Sequence, residues 1–293
     1  MNLGVSFDGL RARGVALDDD GNVVARAAAK EVSSGAAGVI SELRAAGKNA
    51  RIDALVLASD PDPDSKSWGF GLEVDGRSVP VSWMSLGNAL AFGEMVAGAG
   101  RSARNIVAFS LGRSVASGVV VDGRLLTGAH DRAGAIGWLS LNPVERDDYR
   151  RLGCLEAEGS SAGIVKRFAW RVKSGDESDV VARAGGNLAN VQVEHILEGA
   201  GAGDGVAISI VRDTVRYVAM AICNIAAVVD PEIVVLGGIL ETSADLMLEP
   251  IRQECARRLP PFLQDRVKIE ITTLGEDAAA IGAAHFAAKE TAP

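Results

Sequence analysis

Cysteine and histidine are the residue types that most readily hold a metal or act as nucleophile or base, so their spacing is read first. Three cysteines, Cys154, Cys223 and Cys255, and three histidines, His130, His195 and His285, stand far apart in the chain. No C-x-x-C or H-x-x-x-H spacing brings them into a metal site. An odd, scattered cysteine count is not a disulfide framework. Each of the six is read as a packing or surface residue, and no metal is expected. Lysine and arginine form no run along the sequence, and the net charge is −8 with a pI of about 5.1. A nucleic-acid partner would need a basic face to release counterions, so none is expected.

The elements that would position any chemistry are those of an α/β chain. Hydrophobic residues make up 48% and aromatics only 4%, which gives an aliphatic core large enough for two ordinary domains. Apolar runs predict strands at 3–7, 13–17, 23–27 and 52–58, with an Asp-Asp-Asp-Gly-Asn turn at 18–22. Helical spacing predicts a helix over 33–46, capped by Ser33 or Ser34. Residues 60–65 read as a loop, and 68–83 alternate around a turn at Asp75-Gly76. A helix is expected over 88–98, and 1–103 is taken as an N-terminal domain. The remainder, 104–293, begins with strands at 105–110 and 114–121 and a turn at Asp122-Gly123. Residues 129–155 read as loop-rich, with a charged run at 145–151. Helices follow at 161–172 and 205–229, the latter long enough for a buried central element. Then come a strand at 233–236, the turn Gly237-Gly238, a helix at 244–258, a strand at 267–272 and a last helix at 277–288 that packs back toward the N-terminal domain. Strand, glycine turn and helix in alternation predict helices covering sheets. The N-terminus lacks a signal-peptide pattern, and the longest apolar stretch, 220–229, is too short to span a bilayer. A cytoplasmic protein without membrane partners is expected.

Five segments resemble, in order, the motifs of the ROK family of sugar kinases and sugar-responsive repressors. Residues 123–137, Gly-Arg-Leu-Leu-Thr-Gly-Ala-His-Asp-Arg-Ala-Gly-Ala-Ile-Gly, resemble its G-K-L-x-x-G-x-x-G-x-A-G-E-I-G segment. Gly-Cys-Leu-Glu at 153–156 matches its G-C-L-E, and Pro-Glu-Ile-Val-Val-Leu-Gly-Gly at 231–238 its P-E-x-I-V-L-G-G. Residues 274–284 match the closing L-G-x-D-A-x-x-I-G-A-A, and 88–94 the end of N-D-A-N-A-A-A-x-G-E. The resemblance runs from about residue 3 to residue 288. It implies a two-domain actin-like (ribonuclease H-like) α/β fold, with sugar and ATP in a cleft between the domains.

Phosphoryl transfer in that family needs four parts, and the resemblance locates each. The general base that takes the sugar hydroxyl proton is an Asp; here Leu86 occupies its position, with Ser85 where an Asn precedes it. The first phosphate hairpin, D-x-G-G-T, has become Ser6-Phe7-Asp8-Gly9-Leu10, which places a carboxylate beside the triphosphate. The second phosphate loop, G-T-G-I-G-G-G, has become Gly112-Arg113-Ser114-Val115-Ala116-Ser117-Gly118. Bulk stands where bare backbone approaches phosphate, although Arg113 could itself hold an anion. In the sugar and zinc site, Glu and His of E-I-G-H have become Ala135 and Trp138, and two of the zinc cysteines are Asp147 and Tyr149, leaving Cys154. Zinc is therefore not expected.

The fold-building glycines remain while the polar positions are replaced. The expected function is a ROK sugar-kinase homologue without catalytic activity, binding a sugar or an unknown protein in a regulatory role. Its catalytic residues are then none. Gly9, Gly112, Arg113, Gly237 and Gly238 are the candidates toward nucleotide, and Asn88, Trp138 and Glu156 toward sugar. Trp138 would stack on a ring or plug the old sugar site. The alternative is a divergent sugar kinase using ATP and magnesium, with Asp8, Glu94, Asp131 or Glu156 as replacement base. The resemblance also implies a homo-oligomer, with the helix from Gly205 contributing. The family's repressors carry a helix-turn-helix ahead of this region, and the chain starts at its first strand, so DNA binding is disfavoured.

Overall fold

The computed structural model describes residues 1–8, 11–29, 35–47, 50–59, 72–74 and 77–291. The first sheet has the order β3-β2-β1-β4-β7. Its strands are β1 (Asn2–Asp8), β2 (Arg11–Leu17), β3 (Val23–Ala29), β4 (Ala54–Ser59) and, after the small hairpin β5 (Leu72–Val74) and β6 (Arg77–Val79), β7 (Val81–Ser85). The strands β1, β2 and β3 are antiparallel neighbours, while β4 and β7 run parallel to β1. Strand β4 reads as an unbroken apolar run because both of its faces are covered. Leu55 and Leu57 join Leu3, Val5 and Phe7 of β1 under Val39, Ile40 and Leu43 of α1 (Gly35–Ala46). Ala54, Val56 and Ala58 face the other way, against Ala89 of α2 (Leu86–Val96) and against Ala283 and Ala287 of the last helix.

Small residues let that last helix, residues 278–291, lie close to α2. A Cβ on Gly282 would collide with the Ala89 carbonyl and the Gly93 amide, and one on Gly93 with the Ala278 carbonyl. Both clashes are with backbone, which no side-chain rotation relieves.

The second sheet has the order β10-β9-β8-β11-β12. Strands β8 (Ile106–Leu111), β9 (Val115–Val121) and β10 (Arg124–Leu125) come first, and the helices α3 (Asp147–Leu152), α4 (Cys154–Gly159), α5 (Ser161–Lys173), α6 (Val180–Arg183), α7 (Val193–Gly201) and α8 (Gly205–Val229) follow. Strand β11 (Ile233–Gly238), the helices α9 (Ile239–Thr242) and α10 (Ala244–Arg258), β12 (Lys268–Ile271) and the last helix, α11 (Ala278–Thr291), complete the chain. Asp204 starts α8 by accepting the Ala207 amide at 2.8 Å. One face of α8 is buried through Val206, Ile210, Val215, Val218 and Ile222, whereas Ile208 and Val228 are exposed, so the helix is amphipathic rather than fully enclosed.

Three readings of the sequence change. Residues 129–155 are not only loop: the charged run forms α3, followed directly by α4. The short α6 and α7 were not anticipated. Helix α2 starts two residues before the expected Asn88, because the Ser85 hydroxyl accepts the Asn88 amide and sets the first turn. The chain forms two compact units, Met1–Phe109 with Ala116–Gly134 and Thr272–Pro293, and Ser110–Val115 with Ala135–Ile271. Residues 104–109 and 116–134 fall with the first unit, and α11 packs there on α2, β1, β2 and β4. The cap at Ser33 or Ser34, the loop at 60–65, the turn at Asp75-Gly76, and Gly9 and Leu10 lie outside the described residues.

Candidate functional site

In the first unit, the start of α2 carries the position where a proton acceptor would stand. Ser85 is the helix cap and Leu86 the first helical residue. Leu86 packs with the aliphatic cluster around Ala89 and Ala283. One turn in, Asn88 is buried, and its Oδ1 finds no hydrogen-bond donor among the described residues. An unpaired buried acceptor costs about 1–3 kcal/mol.

The replacement bases fare unevenly. Glu94 is fully buried; Thr272 Oγ1 donates to its Oε1, and the Ala99 amide donates to its Oε2 at 2.9 Å. It fastens α2 to the segment that follows and is committed to that role. Asp131 is exposed with φ 54°. Asp8 closes β1 opposite Arg11. Ser6, in place of the family's Asp, is buried within β1.

In the second unit, the turn after β8 uses its own polar groups. The Gly112 amide donates to Ser114 O at 3.0 Å, and Gly112 O accepts from both the amide and the hydroxyl of Ser161, at 2.8 and 2.9 Å. The Gly112 amide is thus occupied within the turn itself. Arg113 is exposed. At the end of β11, Gly237 is buried and Gly238 has φ 67°, where a Cβ would strike the Leu111 carbonyl and the Ser110 hydroxyl. The glycine match at 238 therefore has a backbone reason of its own.

Glu156 accepts the Val115 amide at 2.7 Å, and its carboxylate lies beside Gly137. These contacts bring residues 112–115, 135–138 and 153–156 together within the second unit. Trp138 is 59% exposed, so it does not plug a cavity.

Where the resemblance implies zinc, the chain has built an ion network. Cys154 is buried against Tyr149, Ala157, Leu141 and Tyr217, and burial pushes its thiol up. Tyr149 Oη donates to Glu158 Oε1 at 2.6 Å. Arg146 reaches Glu158 at 2.8 Å and Asp148 at 2.5 Å, and its guanidinium lies 4.7 Å from the Tyr149 ring centre. Lys166 holds Asp148 at 2.8 Å, and Arg167 approaches Glu158 at 3.1 Å while donating to Thr214 Oγ1. Burial pushes the Asp148 carboxyl up, but the hydrogen bonds from Lys166 and Arg146 outweigh it and hold it at about 2. Burial followed by the Glu158 carboxylate pushes the Tyr149 hydroxyl well above its ordinary value. One cysteine among arginines, a lysine and a tyrosine does not fit a structural zinc site. Among the described residues no three metal-ligating side chains cluster. Sequence reasoning missed this network, reading the charged run at 145–151 as part of a loop-rich stretch.

The sequence matches the ROK family over residues 27–290. This chain belongs to the ROK family. A glucokinase of Halalkalibacterium halodurans is 32% identical over 206 residues, covering 70% of this chain and 62% of the relative. The match thus spans less than two thirds of that enzyme. A xylose repressor of Caldicellulosiruptor bescii is 24% identical over 208 residues, covering 70% of this chain and 51% of the relative. A ROK glucokinase from Streptomyces griseus, solved with glucose and AMPPNP, superposes with a TM-score of 0.78 at 21% identity, covering 98% of this chain and 99% of that one. This establishes for the ROK chain the α/β actin-like fold expected from its motifs. Among the described residues no helix is long and apolar enough to cross a membrane.

Proposed function

We propose that this ROK chain binds a carbohydrate without phosphorylating it, as a cytoplasmic sensor or regulatory partner. The observation that carries this reading is Leu86 at the first position of α2, held in register by the Ser85 cap, where a sugar kinase of this family has its general base. A leucine accepts no proton, and losing a general base typically costs about a hundredfold to ten thousandfold in rate. The Gly112 amide, occupied by Ser114 O, and the commitment of Glu94 to Thr272 and Ala99 point the same way. The buried, unpartnered Oδ1 of Asn88 supports retained sugar contact, since a sugar hydroxyl can donate to it.

A second reading is an ATP- and magnesium-dependent sugar kinase, and the glucokinase relatives favour it. Its base would come from Asp8, Asp131 or Glu156. Calorimetric titration with a panel of hexoses and N-acetylhexosamines, with and without ATP-magnesium, combined with an ADP-release assay, separates the two. Sugar binding with ADP release at background supports the sensor. Sugar-dependent ADP release would overturn it and establish the kinase.

A further inference from the structure

The zinc-replacing network opens onto a cavity of about 820 Å³ formed wholly within the second unit. Five of its lining residues are arginines: Arg146, Arg167, Arg216, Arg257 and Arg258. They are dispersed through the sequence, and α5, α8, α10 and the segment before α3 bring them together. Only three carboxylates line the same space, Glu158, Asp213 and Glu254. Two of these are shared: Glu158 serves Arg146 and Arg167, and Glu254 serves Arg257 and Arg258 at 2.9 and 3.2 Å. Asp213 serves Arg216 at 3.1 Å, and Asp148, outside the lining, adds a fourth carboxylate at Arg146, shared with Lys166, likewise outside the lining. The chain as a whole is acidic, at −8, so this local excess of positive charge runs against its average.

The donors are also in excess. A guanidinium carries five N–H groups in a fixed fork. The Nε of Arg167 is buried and lacks a well-aligned acceptor, although a Glu158 oxygen lies 3.1 Å away. Asn142 and Tyr217 add neutral polar groups to the wall. The volume falls in the range of about 300–1,000 Å³ typical of small-molecule sites. None of the lining residues belongs to the motif positions the family resemblance assigns to sugar or nucleotide.

The geometry points to this cavity as a binding site for a small polyanion carrying two or more phosphate or carboxylate groups. Arginine forks match both groups bidentately, and clustered forks favour a multiply charged ligand over a single chloride. Such a site would let a charged metabolite bias the second unit independently of any sugar.

Isothermal titration of the full chain with inorganic pyrophosphate and with citrate, at fixed ionic strength in chloride buffer, tests this and distinguishes the phosphate source from the carboxylate one. Saturable binding of at least one anion is expected, weakened about tenfold or more by Arg216→Ala and by Arg258→Ala, since hydrogen bonds to charged groups are the strong ones. Both side chains are about half exposed, so the variants spare the buried network; equal melting midpoints confirm folding, and Arg216→Ala alone carries the test should Arg258→Ala fold poorly. Arg124→Ala, on an exposed strand, is expected to change nothing. No saturable binding of either anion, or binding that Arg216→Ala and Arg258→Ala leave within about twofold, would overturn the proposal. So would binding abolished by Arg113→Ala but not by the cavity variants, which would move the anion to the turn after β8.

Discussion

Replacing Glu158 by Gln should destabilise the second unit strongly. The Glu158 side chain is 3% exposed and meets Arg146, Arg167 and the Tyr149 hydroxyl. Glutamine keeps the shape and can still accept a hydrogen bond, but it removes the charge. Arg146 retains Asp148 as a partner. Arg167, whose side chain is 13% exposed and whose guanidinium burial pulls below its ordinary value, keeps Thr214 and the Glu158 backbone carbonyl but loses its close carboxylate. Breaking a buried ion pair on one side costs about 3–5 kcal/mol, and the surviving partners argue for the lower end, about 3 kcal/mol. At about 2–4 °C per kcal/mol this lowers the melting midpoint of the unit by about 6–12 °C. Thermal denaturation read together with amide exchange in α4 and α5 checks it. The double substitution Glu158→Leu with Arg167→Met removes both charges and should recover at least half of the loss. A midpoint shift below about 2 °C in Glu158→Gln, or unchanged exchange in α4 and α5, would refute the view that these ions hold the helices together.

Three further outcomes follow from other parts of the molecule. Leu86→Asp should fold, since a carboxylate suits the first turn of a helix, yet leave ADP release at background in a coupled assay, because the turn at Gly112 is unchanged. Asp148, whose folded value of about 2 lies below the ordinary 3.8, contributes stability that is present above about pH 3.8 and is lost as pH falls toward 2. Because its partner Lys166 is 63% exposed, solvent screening leaves about 1 kcal/mol, seen as a smaller acid-induced loss of stability in Asp148→Asn than in the parent chain. Gly282→Ala should cost about 1–3 kcal/mol in denaturant unfolding despite alanine's better helix propensity, because its Cβ meets the backbone of α2.

Much of the fold was legible because it rests on period and punctuation. Apolar runs marked β1, β4 and β11, and the motif glycines at 238 and 282 stand at close backbone approaches that the structure explains sterically. Ordered motifs carried the family, and those at 231–238 and 274–284 flank strand-to-helix junctions. The network around Glu158 was not legible for a different reason. Its members, 146, 148, 149, 158, 166, 167 and 214, come from the segment before α3 and from α3, α4, α5 and α8, and no short window contains a signal that they meet. A charged run reads as a solvated loop until tertiary contacts bury one of its faces, as Asp148 and Tyr149 are buried in α3. The arginine-lined cavity is the same effect at longer range.

Residues that match the family motif and residues that depart from it carry unequal weight on whether the ROK chain turns over a sugar. Several matches have a structural reason independent of catalysis. Glu156 holds the Val115 amide, Glu94 holds Thr272 and the Ala99 amide, Cys154 fills an apolar space beside Tyr149, and Gly238 avoids the Leu111 carbonyl. Selection for the fold alone would keep them. The departure at Leu86 is double-edged: it packs against the cluster around Ala89 and Ala283, yet it stands at a helix start, where the helix dipole favours Asp. A scaffold retained while an inexpensive catalytic carboxylate is absent fits a protein whose task is binding. The unpartnered Asn88 Oδ1 then becomes the sharper probe, because Asn88→Ala should weaken sugar binding while removing a buried unsatisfied acceptor, and so lower affinity without lowering the melting midpoint.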